Sequence, residues 1–183
     1  GAINGFTFSE DRYFDSGFHI SNSYVNRNAC LYAGQTVTST TVNSAGHMDV
    51  YPGGGATATT VNSSGGMVVW NAGYATSTTV NSGGYMTGAG SAMSTTVNSG
   101  GEMWVYSGGR AISTTVNARG SMMVISSGSA ISTTLNSAGH MEVYGGATAT
   151  TVNSGGGMTV VWGRATSTTV NSDGKMTVDC GGA

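Results

Sequence analysis

The chain has 183 residues, of which 8% are charged and 31 are glycine, and its formal net charge is −2. In an average globular protein about 25% of residues are charged and about 7% are glycine. The six scattered Lys and Arg residues provide neither a basic patch for nucleic acid nor a polybasic cluster for anionic lipid. No long apolar run is present either, so we expect no nucleic-acid partner and no membrane insertion by this segment.

The first 22 residues are richer in aromatic and charged side chains than the rest of the chain. Their last part, "GFHISN", still fits the frame of the later "GGRAISTTVN". We therefore predict that residues 1–22 form an irregular first coil or an N-terminal cap. The acidic residues Glu10, Asp11 and Asp15 are interpreted as a solvated turn rather than a catalytic cluster.

Residues 23–183 repeat one pattern. The motif "TTVN" or "TTLN" ends at eight asparagines whose steps are 19, 19, 17, 19, 19, 17 and 18 residues: Asn43, Asn62, Asn81, Asn98, Asn117, Asn136, Asn153 and Asn171. A degenerate copy, "SYVN", ends at Asn26. Gly always follows three residues after each of the eight asparagines and Met five residues after it, whereas all length changes fall later in the repeat. Fixed spacing of this kind predicts about nine coils of a solenoid.

Residue types within each repeat favour strands. "ATSTTV" is rich in β-branched residues and predicts one strand of about six residues. "MWVY" predicts another, with Met103 and Val105 on one face and Trp104 and Tyr106 on the other. "NSGG" is typical of a tight turn, because Asn and Gly both accept positive φ. No sustained helical period occurs, so we predict an all-β fold, a parallel β-solenoid with about 19-residue coils.

Stacked coils turn recurring residues into columns. The Met column is interpreted as flexible apolar filler of a narrow core rather than as a metal or redox array. The Asn column predicts a ladder of side-chain amides hydrogen-bonded from coil to coil. Alternating threonines predict a Thr-x-Thr array on one face, formed by Thr57 and Thr59, Thr76 and Thr78, Thr148 and Thr150, and Thr166 and Thr168.

Residues that carry chemistry are few and scattered. His47 and His140 occupy equivalent positions five coils apart, roughly 24 Å, and are predicted, like His19, to be solvated. Carboxylates lie in different coils, at Asp49, Glu102, Glu142, Asp173 and Asp179. Cys30 and Cys180 lie near opposite ends of the chain and suggest isolated thiols rather than a disulfide framework or a zinc site. We therefore predict no catalytic, metal or cofactor site and no enzymatic activity.

Serine follows the column asparagine in seven of the eight copies, at Ser44, Ser63, Ser82, Ser99, Ser137, Ser154 and Ser172, and Ala118 interrupts the row. These serines are predicted to be exposed in the turn. In the simplest interpretation, they hydrate a surface that carries little charge.

The pattern "GGxATxTTVNSGGxMxV" resembles the passenger repeats of self-associating autotransporters, the AIDA-type adhesins and antigen 43 of Gram-negative bacteria. The resemblance implies a right-handed parallel β-helix displayed on the bacterial surface, which mediates adhesion and autoaggregation. It also implies O-linked heptose or another glycan, attached by a heptosyltransferase to serine or threonine. The acceptors it implies are the seven turn serines, followed by Ser107 and Ser127. Implied partners are that glycosyltransferase, other copies of the chain and the host-cell surface.

Two alternatives to an adhesin remain open. One is a plain structural stalk. The other is an ice- or glycan-binding solenoid that uses the Thr-x-Thr columns, although Met93, Ile112 and Ile131 interrupt them. The final residues, "VDCGGA", stop where another strand is expected, which predicts a piece of a longer repeat protein truncated at its C-terminal end.

Overall fold

The computed structural model describes residues 2–5, 7–8, 12–13 and 19–179. Within these residues short strands form three parallel sheets of ten strands each, and no helix is present. Each internal strand pairs with its equivalents one coil earlier and one coil later, so the fold is a parallel β-solenoid, as predicted. A membrane-crossing helix is consequently absent from the described part of the chain. Division of the chain into a cap and a repeat region stays a prediction, and Cys180, Glu10, Asp11 and Asp15 lie outside the described residues.

Every coil contributes one strand to each sheet. Sheet A contains Ala2–Asn4, His19–Ser21, Thr36–Thr38, Gly55–Thr57, Tyr74–Thr76, Ser91–Met93, Arg110–Ile112, Ser129–Ile131, Gly146–Thr148 and Arg164–Thr166. Sheet B contains Thr7–Phe8, Tyr24–Val25, Thr41–Val42, Thr60–Val61, Thr79–Val80, Thr96–Val97, Thr115–Val116, Thr134–Leu135, Thr151–Val152 and Thr169–Val170. Sheet C contains Arg12–Tyr13, Asn28–Leu31, His47–Val50, Gly66–Val69, Tyr85–Gly88, Glu102–Val105, Ser121–Val124, His140–Val143, Gly157–Val160 and Lys175–Val178.

The register aligns equivalent residues of successive repeats. Met67, for example, pairs with Met48 on one side and with Met86 on the other. A slip of one residue would turn the Met and Val side chains of sheet C outward, because neighbouring strand residues face opposite sides. Burial of these side chains therefore specifies the register.

The core is a narrow stack of apolar columns. Sheet A contributes mainly alanine, sheet B valine or leucine, and sheet C methionine and valine. Met103 and Val105 are both buried, whereas the alternate residues Trp104 and Tyr106 are exposed, as predicted from "MWVY". The interpretation of Met as core filler is consistent with this packing.

The strand predicted for "ATSTTV" is in fact two strands separated by a corner. In one coil Tyr74–Thr76 ends before Ser77, whose φ is 56°, and the next strand, Thr79–Val80, begins after Thr78. The equivalent residue has positive φ in successive coils: Ser39, Ala58, Ser77, Ser94, Ser113, Ser132, Ala149 and Ser167. A left-handed residue reverses the strand alternation, and this explains why the prediction of one continuous strand was wrong.

The same corner removes the predicted Thr-x-Thr array. Thr57 is exposed but Thr59 is buried, and Thr148 and Thr150 differ in the same way. The inward threonines form a buried column: Thr40, Thr59, Thr78, Thr95, Thr114, Thr133 and Thr150. An ice- or glycan-binding face made of paired threonines is therefore a wrong prediction, because each pair straddles a corner.

The "NSxG" turn connects sheet B to sheet C. The amide of Gly101 donates to the carbonyl of Asn98 at 2.9 Å, and Gly100 between them has a φ of 70°. This is the hydrogen bond of a β-turn with positive φ at its third residue. Among the Asn and Gly residues of this turn, Gly100 adopts positive φ, as predicted for glycine, whereas Asn98 and Gly101 do not. Gly101 is instead required by close approach, since a Cβ there would lie 2.6 Å from the carbonyl oxygen of Val80.

The third corner, from sheet C to sheet A of the next coil, varies in length as predicted. Four residues connect Glu102–Val105 to Arg110–Ile112, whereas two connect Tyr85–Gly88 to Ser91–Met93. The deletions thus fall outside the three sheets, where a connection tolerates changes in length.

Candidate functional site

An asparagine ladder supports the predicted modification surface. In every coil the side-chain amide nitrogen of this asparagine donates to the side-chain oxygen of its equivalent in the preceding coil, from Asn43 to Asn171. The eight distances lie between 2.8 and 3.2 Å. The predicted amide ladder is confirmed. It holds each "NSxG" turn directly above the last.

The seven turn serines are all exposed, as predicted: Ser44, Ser63, Ser82, Ser99, Ser137, Ser154 and Ser172. Each follows a ladder asparagine, so successive hydroxyls are about 4.8 Å apart, the usual strand spacing. The gap at Ala118 shows that the turn also forms with alanine. An exposed hydroxyl on a rigid turn is suited to modification by an external enzyme that supplies its own catalytic groups.

Several serine hydroxyls lie beneath glycine of the next coil. A Cβ built at Gly83, Gly100 or Gly155 would lie 2.8, 2.8 or 2.9 Å from the hydroxyl oxygen of Ser63, Ser82 or Ser137. In other coils this glycine is replaced by a residue with a side chain. Ser64 takes its place above Ser44, Arg119 above Ser99 and Asp173 above Ser154. The row therefore contains two steric environments for an incoming group.

The other two candidates lie elsewhere on the coil. Ser107 and Ser127 are exposed residues of the third corner, and Ser127 has a φ of 64°. They do not follow the asparagine ladder. The structure thus divides the nine candidate serines into a regular row of seven and a separate pair.

Histidine–carboxylate pairs occupy the outer face of sheet C. Nε2 of His47 lies 3.5 Å from Oδ2 of Asp49, and Nε2 of His140 lies 3.5 Å from Oε1 of Glu142. His47 is more constrained than predicted, because the hydroxyl of Tyr85 also lies 3.3 Å from its Nδ1. His19 is exposed and contacts the Thr36 hydroxyl. No group of three His, Cys, Asp or Glu side chains suited to a metal occurs among the described residues.

Two tyrosines fold over glycines of the preceding coil. A Cβ at Gly66 would lie 2.3 Å from the ring of Tyr85, and one at Gly55 would lie 2.2 Å from the ring of Tyr74. These glycines therefore provide space for a neighbouring ring. The paired occurrence of glycine in one repeat and tyrosine at the same position in the next is the sequence signal for this packing.

An aromatic ladder at the third corner was not predicted from the sequence. The rings of Tyr32 and Tyr51 stack with centroids 4.9 Å apart and planes 5° apart, and those of Tyr51 and Trp70 are 5.8 Å and 3° apart. The indole nitrogen of Trp70 also donates to Oδ1 of Asp49 at 2.8 Å. Each ring directly follows the last sheet C residue of its coil, a recurrence that the sequence does contain.

Comparison with known proteins relates this geometry to a family. Residues 34–84 match a family model described as "Adhesin of bacterial autotransporter system, probable stalk". The chain is also similar to the crystal structure of a TibC-catalysed, hyper-glycosylated TibA fragment, with 36% sequence identity and a TM-score of 0.91. That similarity covers 99% of this chain and 72% of the TibA chain. No curated protein sequence matches.

Proposed function

Because the chain belongs to the AIDA-type family of autotransporter adhesin passengers, we propose that it is a non-enzymatic, surface-displayed passenger segment that promotes adhesion and self-association. Display on the bacterial surface is part of the proposal, and so is the absence of enzymatic activity. Many weak contacts repeated along a rigid rod add up through multivalency. The few charges on the chain also limit the like-charge repulsion that opposes contact between cells.

We further propose that the turn serines accept O-linked heptose or another glycan from a glycosyltransferase partner. The observation that carries this proposal is the row of seven exposed serines, each on the same asparagine-supported turn. The glycosylated state of the similar TibA fragment supports it. Ser107 and Ser127 are secondary candidates.

Mass spectrometry tests the modification. The chain is expressed with and without a TibC-type glycosyltransferase, and its intact mass and fragment peptides are measured. We expect sugar-sized mass increments on the turn serines when the enzyme is present. A variant with all seven serines changed to alanine should lose these mass increments. It should still fold, because Ala118 already occupies the equivalent position in one coil. An unmodified mass, or increments confined to sheet threonines, contradicts the assignment of acceptors.

Cell settling tests the adhesive function. Bacteria displaying the full passenger should settle faster, and bind host cells in larger numbers, than bacteria lacking it. Equal settling and equal binding would favour the second candidate function, a structural stalk. That candidate is supported by the rod-like stacking of coils and by the description of the matching family as a stalk.

A further inference from the structure

A cleft opens directly beside Ser82. It has a volume of about 240 Å³ and lies between two successive turns and the outer face of sheet C. Pockets for drug-sized ligands span about 300–1,000 Å³, so this one is suited to a smaller group such as one sugar ring. Its lining residues are Gly83, Gly84, Tyr85, Gly100, Glu102 and Trp104.

Ser82 adjoins this cleft in two ways. Its neighbour in the chain, Gly83, lines the cleft. Its hydroxyl oxygen would also lie 2.8 Å from a Cβ built at Gly100, which lines the cleft from the next coil. Glycine at that position leaves free the space that a side chain would fill next to the oxygen. A group attached to the Ser82 hydroxyl therefore begins at the edge of the cleft.

Tyr85 is a wall of the cleft that is already held in place. Its ring folds back over Gly66 of the preceding coil, where a Cβ would lie 2.3 Å from a ring carbon. Its hydroxyl lies 3.3 Å from Nδ1 of His47, one coil further back. Because these contacts fix the ring, little ordering of Tyr85 is required when the cleft is filled, which favours affinity.

Glu102 and Trp104 provide the chemistry of the cleft. They are two residues apart in one strand, so both lie on the outer face of sheet C, and both are exposed. The C–H bonds of a sugar ring carry partial positive charge and are attracted to the electron-rich face of an indole. A carboxylate accepts hydrogen bonds from sugar hydroxyls. Among the lining residues Glu102 alone is charged, and it would repel an acidic sugar.

We propose that this cleft holds the sugar carried by Ser82 and that this sugar is a neutral pyranose. The inference rests on the proposed glycosylation of the turn serines. In that transfer the hydroxyl of Ser82 loses its proton and its oxygen bonds to the anomeric carbon, while the bond from this carbon to the phosphate of a nucleotide-sugar donor breaks. The tethered sugar has an effective concentration on the order of millimolar, so even a cleft of low affinity retains it.

Ser137 provides a matched comparison within the chain. It too lies beneath a glycine, since a Cβ at Gly155 would be 2.9 Å from its hydroxyl oxygen. The positions equivalent to the three side-chain walls of the cleft hold His140, Gly157 and Thr159. A sugar on Ser137 consequently has neither an indole nor a carboxylate at these positions.

Chemical attachment of a sugar tests the cleft without a glycosyltransferase. The variant Ser82→Cys, combined with Cys180→Ser, is treated with glucosyl methanethiosulfonate. The new thiolate displaces methanesulfinate and forms a disulfide to the sugar. Because Cys30 is buried, the intact mass should show a single addition.

Nuclear Overhauser spectra of the labelled chain provide the readout. We expect cross-peaks between the sugar protons and the indole of Trp104, and Trp104→Ala should remove them. Glu102→Ala should lower the ratio of bound to unbound sugar by about two- to tenfold, the contribution of one hydrogen bond. Ser137→Cys, labelled in the same way, should show no contact between its sugar and an indole.

The charge of the sugar tests the predicted class. Glucuronyl methanethiosulfonate places an acidic sugar at the same position, and its cross-peaks to Trp104 should be weaker than those of the glucosyl group. Equal cross-peaks would contradict the preference for a neutral sugar. Absence of contact between the glucosyl group and Trp104, or equal contact to an indole from the sugar on Ser137→Cys, overturns the cleft.

The cleft and the proposed glycosylation can fail separately. Cross-peaks to Trp104 in the chemically labelled chain support the cleft, and a lack of enzymatic modification at Ser82 would then overturn its role as an acceptor alone. Enzymatic modification of Ser82 together with a chemically attached sugar that does not contact Trp104 overturns the cleft alone.

Discussion

Gly100 and Gly101 are neighbours in one turn, but they are glycines for different physical reasons. Gly100 has a φ of 70°, and equivalent positions in other coils hold Ala45, Ala138 and Arg119. Gly101 has ordinary φ, yet its α-carbon lies so close to the preceding coil that a Cβ would meet the carbonyl oxygen of Val80 at 2.6 Å. The position that is glycine in every repeat is thus the one where two backbones approach closely, whereas the position with positive φ varies between repeats.

Alanine substitutions separate these two effects. We expect Gly101→Ala to lower the free energy of unfolding by about 2–4 kcal/mol, because two backbones must move apart. Gly100→Ala should cost only about 1 kcal/mol, the typical penalty for a left-handed alanine, because the nearby Ser82 hydroxyl can rotate away from the new Cβ. Urea unfolding followed by circular dichroism measures both, and equal losses would contradict this explanation.

The buried threonine column contains hydroxyls without a hydrogen-bond partner. The side-chain oxygens of Thr59, Thr78, Thr95, Thr114, Thr133, Thr150 and Thr168 are all in this state. Thr40 differs, since its hydroxyl lies 2.8 Å from that of Ser23. An unpartnered buried hydroxyl is unfavourable, so shape rather than hydrogen bonding explains threonine here.

Replacing this threonine with isosteric valine should therefore depend on the coil. We expect Thr78→Val to leave the free energy of unfolding unchanged or to raise it by about 1 kcal/mol. Thr40→Val should lower it by about 1–3 kcal/mol, because it leaves the Ser23 hydroxyl unpartnered. Thermal unfolding of both variants provides the measurement. Equal destabilisation would indicate an additional partner for Thr78.

At the scale of elements, the strands are too short to be stable alone. Those of sheet B have two residues and those of sheet C mostly four. Stability must come from stacking ten levels, in which each backbone pairs above and below. The asparagine ladder adds a continuous row of side-chain hydrogen bonds at the corner between these two sheets.

Asn98 is an internal rung of this ladder. It donates to Asn81 at 2.9 Å and accepts from Asn117 at 3.0 Å. Asn98→Ala should lower the free energy of unfolding by about 1–3 kcal/mol, because both bonds are lost and neighbouring amides stay partly buried.

Asn171 supplies the matched control for this prediction. It is exposed and donates one ladder bond, to Asn153 at 2.8 Å. Asn171→Ala should cost about half as much as Asn98→Ala or less. A larger loss at Asn171 would contradict the ladder as the source of the effect.

At the scale of the whole molecule, electrostatics contributes little. The chain has six Lys and Arg and eight Asp and Glu residues, and the ion pairs noted within the described residues join histidine to a carboxylate on the surface. Surface pairs of this kind contribute about 0–1 kcal/mol. Stacked apolar columns and backbone pairing must therefore provide the stability.

Unfolding should accordingly be insensitive to salt. Between about 50 and 500 mM NaCl we expect the free energy of unfolding in urea to change by less than about 0.5 kcal/mol. Denaturation curves at both concentrations measure this, and a change above about 1 kcal/mol would indicate an electrostatic contribution not identified in the fold.

The sequence alone predicted the solenoid, its repeat length, the inward Met and Val columns, the asparagine ladder and the exposed serine row. These features follow from periodicity. When every coil has the same residue at the same position, stacking in register is the arrangement that buries all the apolar residues together. The acceptor role of the serines stays a prediction.

Tertiary structure decided features that depend on the direction of the chain at its corners. The left-handed conformation of Ser77 turns Thr78 inward. The prediction from alternation along a single strand was that Thr78 lies on the surface with Thr76. The ladder of Tyr32, Tyr51 and Trp70 forms because three successive corners place an aromatic ring at the same position. Periodicity describes what each coil shares, but contacts made where coils differ become visible only once the coils are placed on one another.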